Sequence, residues 1–225
     1  MSGLTVIMVS WRRRQNCEAI LKSLSAQTVR PQIMIWSNDD GGEGFPGADH
    51  VVRSGGNFRT WPRWLLASLA NTEFVLVLDD DLLPFTADFV ETCLAVARHY
   101  PDRIIGVGGR QISQEAPHYR VLPQRDFFRD RPCEVVLGRL MLLRRSLLAR
   151  VPLVVPHWTW RERGDDIIIS TAIRRQHVLS GALRARVREL PTGEESLSAD
   201  PQHFAARELL VKRILDEGFG AWKKA

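Results

Sequence analysis

Short apolar runs alternate along this chain with segments whose apolar residues recur at helical spacing. Residues 4–9 form an apolar, β-branched run that predicts a buried strand. Residues 14–26 follow, with Ala19, Ile20, Leu21 and Leu24 spaced as one face of a helix. Residues 32–36 predict a second strand, ended by the turn-forming Ser37-Asn38-Asp39-Asp40-Gly41-Gly42. Val51-Val52 predicts a short third strand before Ser54-Gly55-Gly56, and residues 64–69 a helix. Residues 73–78 are the clearest strand of all. Such alternation through the first hundred residues predicts an α/β fold with a mostly parallel, doubly wound sheet.

In sheets of that kind ligands lie outside the carboxyl ends of the strands. The residues there are Ser10-Trp11-Arg12-Arg13, Ser37-Asn38-Asp39-Asp40, Ser54-Gly55-Gly56-Asn57 and Asp79-Asp80-Asp81. Every apolar run thus ends in groups able to hold a polar ligand.

The second half is less regular. It predicts a helix over 87–100, a strand over 104–107, a long loop over 108–132 and a strand over 135–143. Helices follow over 165–175 and 202–217. Without a repeat, a low-complexity tract or a linker, residues 1–225 are expected to form one domain.

The net charge is +5, and of 31 basic residues all but Lys22, Lys212, Lys223 and Lys224 are arginines. Arginine matches phosphate oxygens in pairs, so an anionic ligand fits, although a GC-rich genome gives the same bias. Cys17, Cys93 and Cys133 are odd in number and far apart, which argues against a zinc site or disulfide framework and for a reducing compartment. No apolar run approaches the ~20 residues that span a bilayer, so no integral membrane segment is expected. Localisation is expected to be cytoplasmic, or the Golgi lumen if the chain is trimmed from a longer one.

Asp79-Asp80-Asp81 carries the sharpest chemistry. Three adjacent carboxylates repel unless cations offset them. At an extended strand end, Asp79 and Asp81 would share one side with Asp80 opposite, a pair suited to Mg²⁺ or Mn²⁺. The bland alternative is a solvated turn. Arg13, Arg59 and Arg63 fall just after strands, where phosphates would lie, and Asn38 and Asn57 offer both donors and acceptors. Gly164-Asp165-Asp166 opens a helix. There the acids either cap it or place a carboxylate opposite the metal, as a base or as support for an oxocarbenium-like transition state.

Taken together these segments resemble the exostosin and exostosin-like glycosyltransferases, in their GT-A catalytic domain. The resemblance rests on Trp11-Arg12-Arg13, Trp36-Ser37-Asn38, and Asn57, Arg59 and Arg63 ahead of the aspartate triplet. It continues through residues 101–108, Asp165-Asp166-Ile167, and His203, Arg207 and Arg213. Val9 and Ser37 depart from the family pattern, and Asn57 aligns only with a one-residue shift.

The resemblance implies a GT-A fold, a mixed, mostly parallel central sheet flanked by helices. Residues up to about 110 would bind the nucleotide sugar, and the remainder would face the acceptor. It implies that Arg13, Asn38, Asn57, Arg59 and Arg63 hold the nucleotide, with Asp79 and Asp80 on ribose and sugar. Asp81, with Asp79, would ligate Mn²⁺ or Mg²⁺. Asp165 or Asp166 would be catalytic, and Arg207 would bind the diphosphate. It further implies a UDP-sugar donor, commonly an N-acetylhexosamine, transferred with retention to a carbohydrate or glycoconjugate acceptor.

An inverting, family-2-like GT-A enzyme is the alternative within that fold. A nucleotidyltransferase would need an early glycine-rich loop with a lysine, and none follows residues 4–9. A nucleic-acid-binding module would not need five aspartates at two element ends, although Trp61, Trp64, Trp158 and Trp160 offer stacking surfaces. No nucleic-acid partner is expected. Trp158 and Trp160 are expected under a sugar face or in the core. Acceptor, linkage and oligomeric state have no readable signal.

Overall fold

The computed structural model describes residues 3–39, 44–122, 128–151, 163–192 and 200–217. The first half runs β1 (Leu4–Ser10), α1 (Arg14–Ser25), β2 (Gln32–Ser37), β3 (His50–Arg53), α2 (Pro62–Leu69), β4 (Phe74–Leu78), β5 (Leu82–Pro84) and α3 (Phe89–His99). Then come β6 (Ile105–Gly106), β7 (Gly109–Ile112), β8 (Tyr119–Val121), β9 (Arg131–Cys133), β10 (Val135–Val136) and β11 (Leu140–Arg144). A 3-10 helix (Arg145–Arg150) precedes α4 (Asp165–Ile173), β12 (His177–Leu179), α5 (Gly181–Arg184), β13 (Val187–Glu189) and α6 (Gln202–Asp216).

The main sheet has the order β3-β2-β1-β4-β11-β6-β12-β9. β3, β2, β1 and β4 run parallel to one another, whereas β11 is antiparallel to both β4 and β6. Successive strand residues point to opposite faces, so each central strand feeds two cores. Phe74, Leu76 and Leu78 of β4 join α1 and α3 on one face, while Val75 and Val77 join α2, α4 and α6 on the other. β11 repeats the division, Leu140 and Leu142 against Met141 and Leu143. A strand apolar at every position is what a doubly covered sheet requires.

Chain order reverses between β1 and β4, the two strands reached from opposite directions in the sequence β3-β2-β1-β4. The carboxyl ends of those strands therefore flank a crevice, where open α/β sheets bind ligands.

Two sequence expectations need correction. Residues 108–132 are not one loop: β7 and β8 form a hairpin that β10 extends, and β9 edges the main sheet. Those strands are two to four residues long and mix arginine, glycine and tyrosine, too short and polar for a periodic signal. Residues 135–143 are not one strand either. The chain breaks between β10 and β11 at Gly138, whose backbone is engaged by the site.

Candidate active site

A cleft of about 470 Å³ opens at the carboxyl ends of β1, β2 and β4, within the size range of small-ligand sites. All eleven sequence-predicted residues, Arg13, Asn38, Asn57, Arg59, Arg63, Asp79, Asp80, Asp81, Asp165, Asp166 and Arg207, line it. Their arrangement differs from the expectation in instructive ways.

The triplet is not an extended strand end. β4 stops at Leu78, and the Leu82 N–H reaches back 3.4 Å to the Asp79 carbonyl, closing a turn. The turn is fixed from outside, because the Asp79 N–H donates to the Arg139 carbonyl (3.0 Å) and the Asp81 carbonyl accepts from the Leu190 N–H (2.8 Å). Strand alternation consequently does not carry past Leu78. Asp80 and Asp81 both approach Arg13, at 2.8 and 3.7 Å, while Asp79 turns to Arg63 at 2.6 Å. Arg139, which the sequence reading missed, pairs with Asp81 at 3.3 Å and with Glu189 at 2.8 Å.

The carboxylates feel this crowding. Burial raises the Asp79 pKa, the Arg63 guanidinium pulls it back, and Asp81 and Asp80 raise it further, to about 7. About a third of the Asp79 side chain is still reached from the cleft mouth, so the desolvation comes from the protein on its other sides. Burial likewise raises Asp80, against the pull of Arg13.

Arg63 is the strut beneath the triplet. It is 3 % exposed and lies on α2, one turn after the strained corner at Arg59. Its Nε donates to Asp165 (2.8 Å) and its Nη1 to Asp79 (2.6 Å) and to the Gly138 carbonyl (3.0 Å). A Cβ on Gly138 would lie 2.3 Å from Arg63 Nη2. Only glycine leaves that guanidinium its place. Asp165 completes the junction by accepting from Thr60 Oγ1 (3.0 Å) and from the Trp64 indole N–H (2.7 Å).

Asp166 faces the other way from the start of α4. It accepts from the Gly138 N–H (3.1 Å), the Ile167 N–H (2.9 Å) and Arg207 Nη2 (2.8 Å). Burial opposes its charge most strongly, but Arg207, Arg63 and the Gly138 N–H together hold its pKa below the usual carboxylate range. Arg207 also donates to the Tyr119 hydroxyl and to the Arg163 carbonyl, and stays firmly charged beside Asp166. Glu208, next in α6, accepts from the His118 and Tyr119 N–H groups (2.6 and 2.9 Å), locking the β7–β8 hairpin to the helix.

On the opposite wall Asn38 is buried and spends its amide on the loop after β3. Its oxygen accepts from the Phe58 N–H (3.0 Å) and its nitrogen donates to the Arg59 carbonyl (3.1 Å). Asn57 accepts from the Arg59 N–H (2.8 Å). Arg12 and Arg59 both have positive φ, 57° and 60°, a strained choice for arginine that recurs at binding sites. Trp61 and Trp64 are buried and offer no face to a base, and Trp158 and Trp160 lie outside the described residues.

Seven arginines and six carboxylates line the cleft among the described residues. Of the arginines, Arg59 and Arg110 have no carboxylate partner there, so the cleft keeps cationic groups for an anion. Among the described residues no three His, Cys, Asp or Glu side chains enclose a metal by themselves. Among the described residues Asp79 Oδ2 accepts no hydrogen bond and Asp81 Oδ2 has only Arg13 at 3.7 Å, and oxygen donors of this kind fit Mn²⁺ or Mg²⁺ that completes its shell with phosphate and water.

The sequence matches the glycosyl transferase family 64 domain over residues 4–125, more than half of the chain. The chain belongs to glycosyltransferase family 64. The match covers β1 to β4, α1 to α3 and the aspartate triplet. A comparison with curated proteins gives no significant match. Among solved structures, S. aureus TarS superposes with a TM-score of 0.58 at 16 % identity, over 79 % of this chain and 34 % of that one. The mannosyltransferase PcManGT from Pyrobaculum calidifontis, solved with GDP-Man and Mn²⁺, gives 0.55 at 15 % identity, over 79 % of this chain and 53 % of that one. This family 64 chain therefore has the GT-A fold of sugar transferases and spans about a third to a half of the length of these neighbours. Among its described residues no helix is long and apolar enough to cross a membrane.

Proposed function

We propose that this family 64 domain transfers a sugar, an N-acetylhexosamine or related hexose, from UDP to a hydroxyl of a carbohydrate or glycoconjugate, with retention. The observation that carries the proposal is the triplet at the switch point: three carboxylates on one turn, partnered by three arginines, with one oxygen each of Asp79 and Asp81 outside any hydrogen bond among the described residues. Those two residues would hold Mn²⁺ or Mg²⁺, which supplies Lewis-acid stabilisation of the departing diphosphate. A nucleoside diphosphate with its divalent cation brings a charge of about −1, in scale with the slight cationic excess of the cleft.

Arg13, at the start of α1, and Asn57 and Arg59, on the loop after β3, lie on the nucleotide side, and Asn38 shapes that loop. Arg63 and Arg207 act as positioning groups, since each is committed to buried carboxylates. Fixed cations aimed at a developing diphosphate charge lower the barrier without reorganising. Asp165 and Asp166 supply negative charge to the cleft floor where the anomeric carbon becomes cationic.

Retention is favoured by the state of those two acids. An inverting reaction needs a carboxylate base free to take the acceptor proton. Every oxygen of Asp165 and Asp166 already accepts a hydrogen bond.

A thermal-shift screen of UDP and GDP sugars, each with and without Mn²⁺, tests the reading. A ligand at a hundred times its Kd should raise the melting temperature by roughly 5–10 °C. The expected pattern is a shift with UDP-sugars that needs Mn²⁺. A larger shift with GDP-sugars would move the donor assignment, and no shift with any nucleotide sugar would remove it.

A further inference from the structure

Beyond the cleft lies a shallow groove between the β7–β8 turn and the first turns of α6. It is lined by Ala116, Pro117, Tyr119, Phe204, Ala205 and Glu208. Tyr119 and Phe204 line the cleft as well, so the two are continuous. The nucleotide groups, Asn57 and Arg59, come from the loop after β3, whereas Tyr119 and Phe204 belong to the hairpin and α6 in the second half of the chain. On the proposed function, on which this inference rests, the donor enters by that loop and the acceptor by the hairpin.

The chemistry of the groove contrasts with that of the cleft. Its one charged side chain, Glu208, is consumed by the His118 and Tyr119 N–H groups. What remains is apolar: a proline, two alanines and aromatic rings. Phe204 is 55 % exposed, while α6 packs on its other face through Leu210, Val211 and Ile214. Phe204 therefore has little part in the core, and large apolar side chains gathered at a cleft mouth mark a ligand groove.

We infer that this groove is an acceptor subsite for a pyranose ring one residue beyond the accepting sugar, stacked on Phe204. A pyranose presents polarised C–H bonds on a face and hydroxyls at its rim. The electron-rich face of phenylalanine takes the former, and a groove continuous with water leaves the latter solvated. A free phosphate or other small anion finds no cation among the lining residues of the groove. The acceptor is accordingly a glycoside longer than one sugar.

Saturation-transfer NMR on the whole chain tests this with matched probes: methyl β-glucoside against cellobiose, methyl β-galactoside against lactose, and N-acetylglucosamine against chitobiose, each with and without UDP and Mn²⁺. At least one disaccharide is expected to bind more tightly than its monosaccharide and to receive saturation on the second ring. Phe204→Ala should weaken that disaccharide roughly three- to tenfold and leave the monosaccharide unchanged, and Phe204→Trp should restore it. Equal binding of each pair, or an unaltered disaccharide affinity in Phe204→Ala, would overturn the subsite. So would loss of self-association in Phe204→Ala by ultracentrifugation, which would make the groove a contact between copies. UDP titrated into both proteins separates the two claims. Absent UDP binding defeats the donor reading, while the nucleotide-free spectra still report on the groove.

Discussion

Asp79 is the residue at which the competing forces of the site meet. Its carboxyl is crowded by two acids and desolvated by the cleft floor, and the Arg63 guanidinium is its ion-pair partner. Arg63 is in turn held in place by a missing side chain, that of Gly138. Gly138→Ala is therefore expected to displace the guanidinium and strand the buried charges of Asp165 and Asp79. Breaking a buried pair from one side costs about 3–5 kcal/mol. Urea denaturation should show a loss of that order together with weakened nucleotide binding, and a variant with unchanged stability would mean that Arg63 has another place to go. Arg63 and Asp165 were legible in the sequence as candidates. Gly138 and Arg139 were not, because their roles depend on β11 returning antiparallel to β4, a pairing with no local signature.

At the scale of elements, the second half is held by polar staples between short pieces. His177 in β12 is fully buried, its Nδ1 accepting from the Ile104 N–H (3.2 Å) and its Nε2 facing the Ser170 carbonyl of α4 (2.9 Å). Nδ1 must be unprotonated to accept, so the ring is neutral. Burial lowers its pKa from 6.5 to about 4, against a small opposing pull from the Ser170 carbonyl. A base with a depressed folded pKa contributes stability that is complete above its unfolded pKa of about 6.5 and is lost as pH falls toward 4. The shift corresponds to about 3 kcal/mol. Chemical denaturation of wild type and His177→Gln at pH 7.5 and 5 should show the variant with the flatter pH dependence. Equal slopes would place the acid sensitivity elsewhere. The same dependence on staples explains why the strands of this half carry no periodic signal in the sequence. β6 and β10 are two residues each and are held by partners distant in sequence.

At the scale of the molecule, the parallel half was legible because each of β1, β2 and β4 is a continuous apolar run ending in polar residues. That is the mark of a strand covered on both faces with a site at its end. The grouping of the eleven candidate residues in one cleft follows from that topology. Their pairing does not, since a turn after Leu78 and the approach of α4 and α6 decide which arginine meets which acid. The hairpin β7–β8 and α6 close the cleft from the far side through Arg207, Tyr119 and Glu208. On the proposed function, the first half would supply the nucleotide wall and the second the acceptor wall, with the triplet between them.

Calorimetric titration of UDP into wild type and Asp81→Ala, with and without Mn²⁺, addresses the triplet directly. Removing Asp81 leaves Arg139 paired with Glu189 and Arg13 paired with Asp80, so the fold should persist with a nearly unchanged melting temperature. Wild type is predicted to bind UDP at least about tenfold more tightly with Mn²⁺ than without it, a difference of about 1.4 kcal/mol. Asp81→Ala is predicted to lose that increment. A folded Asp81→Ala protein with wild-type Mn²⁺-dependent affinity would contradict the assignment of the triplet to a metal-bound nucleotide.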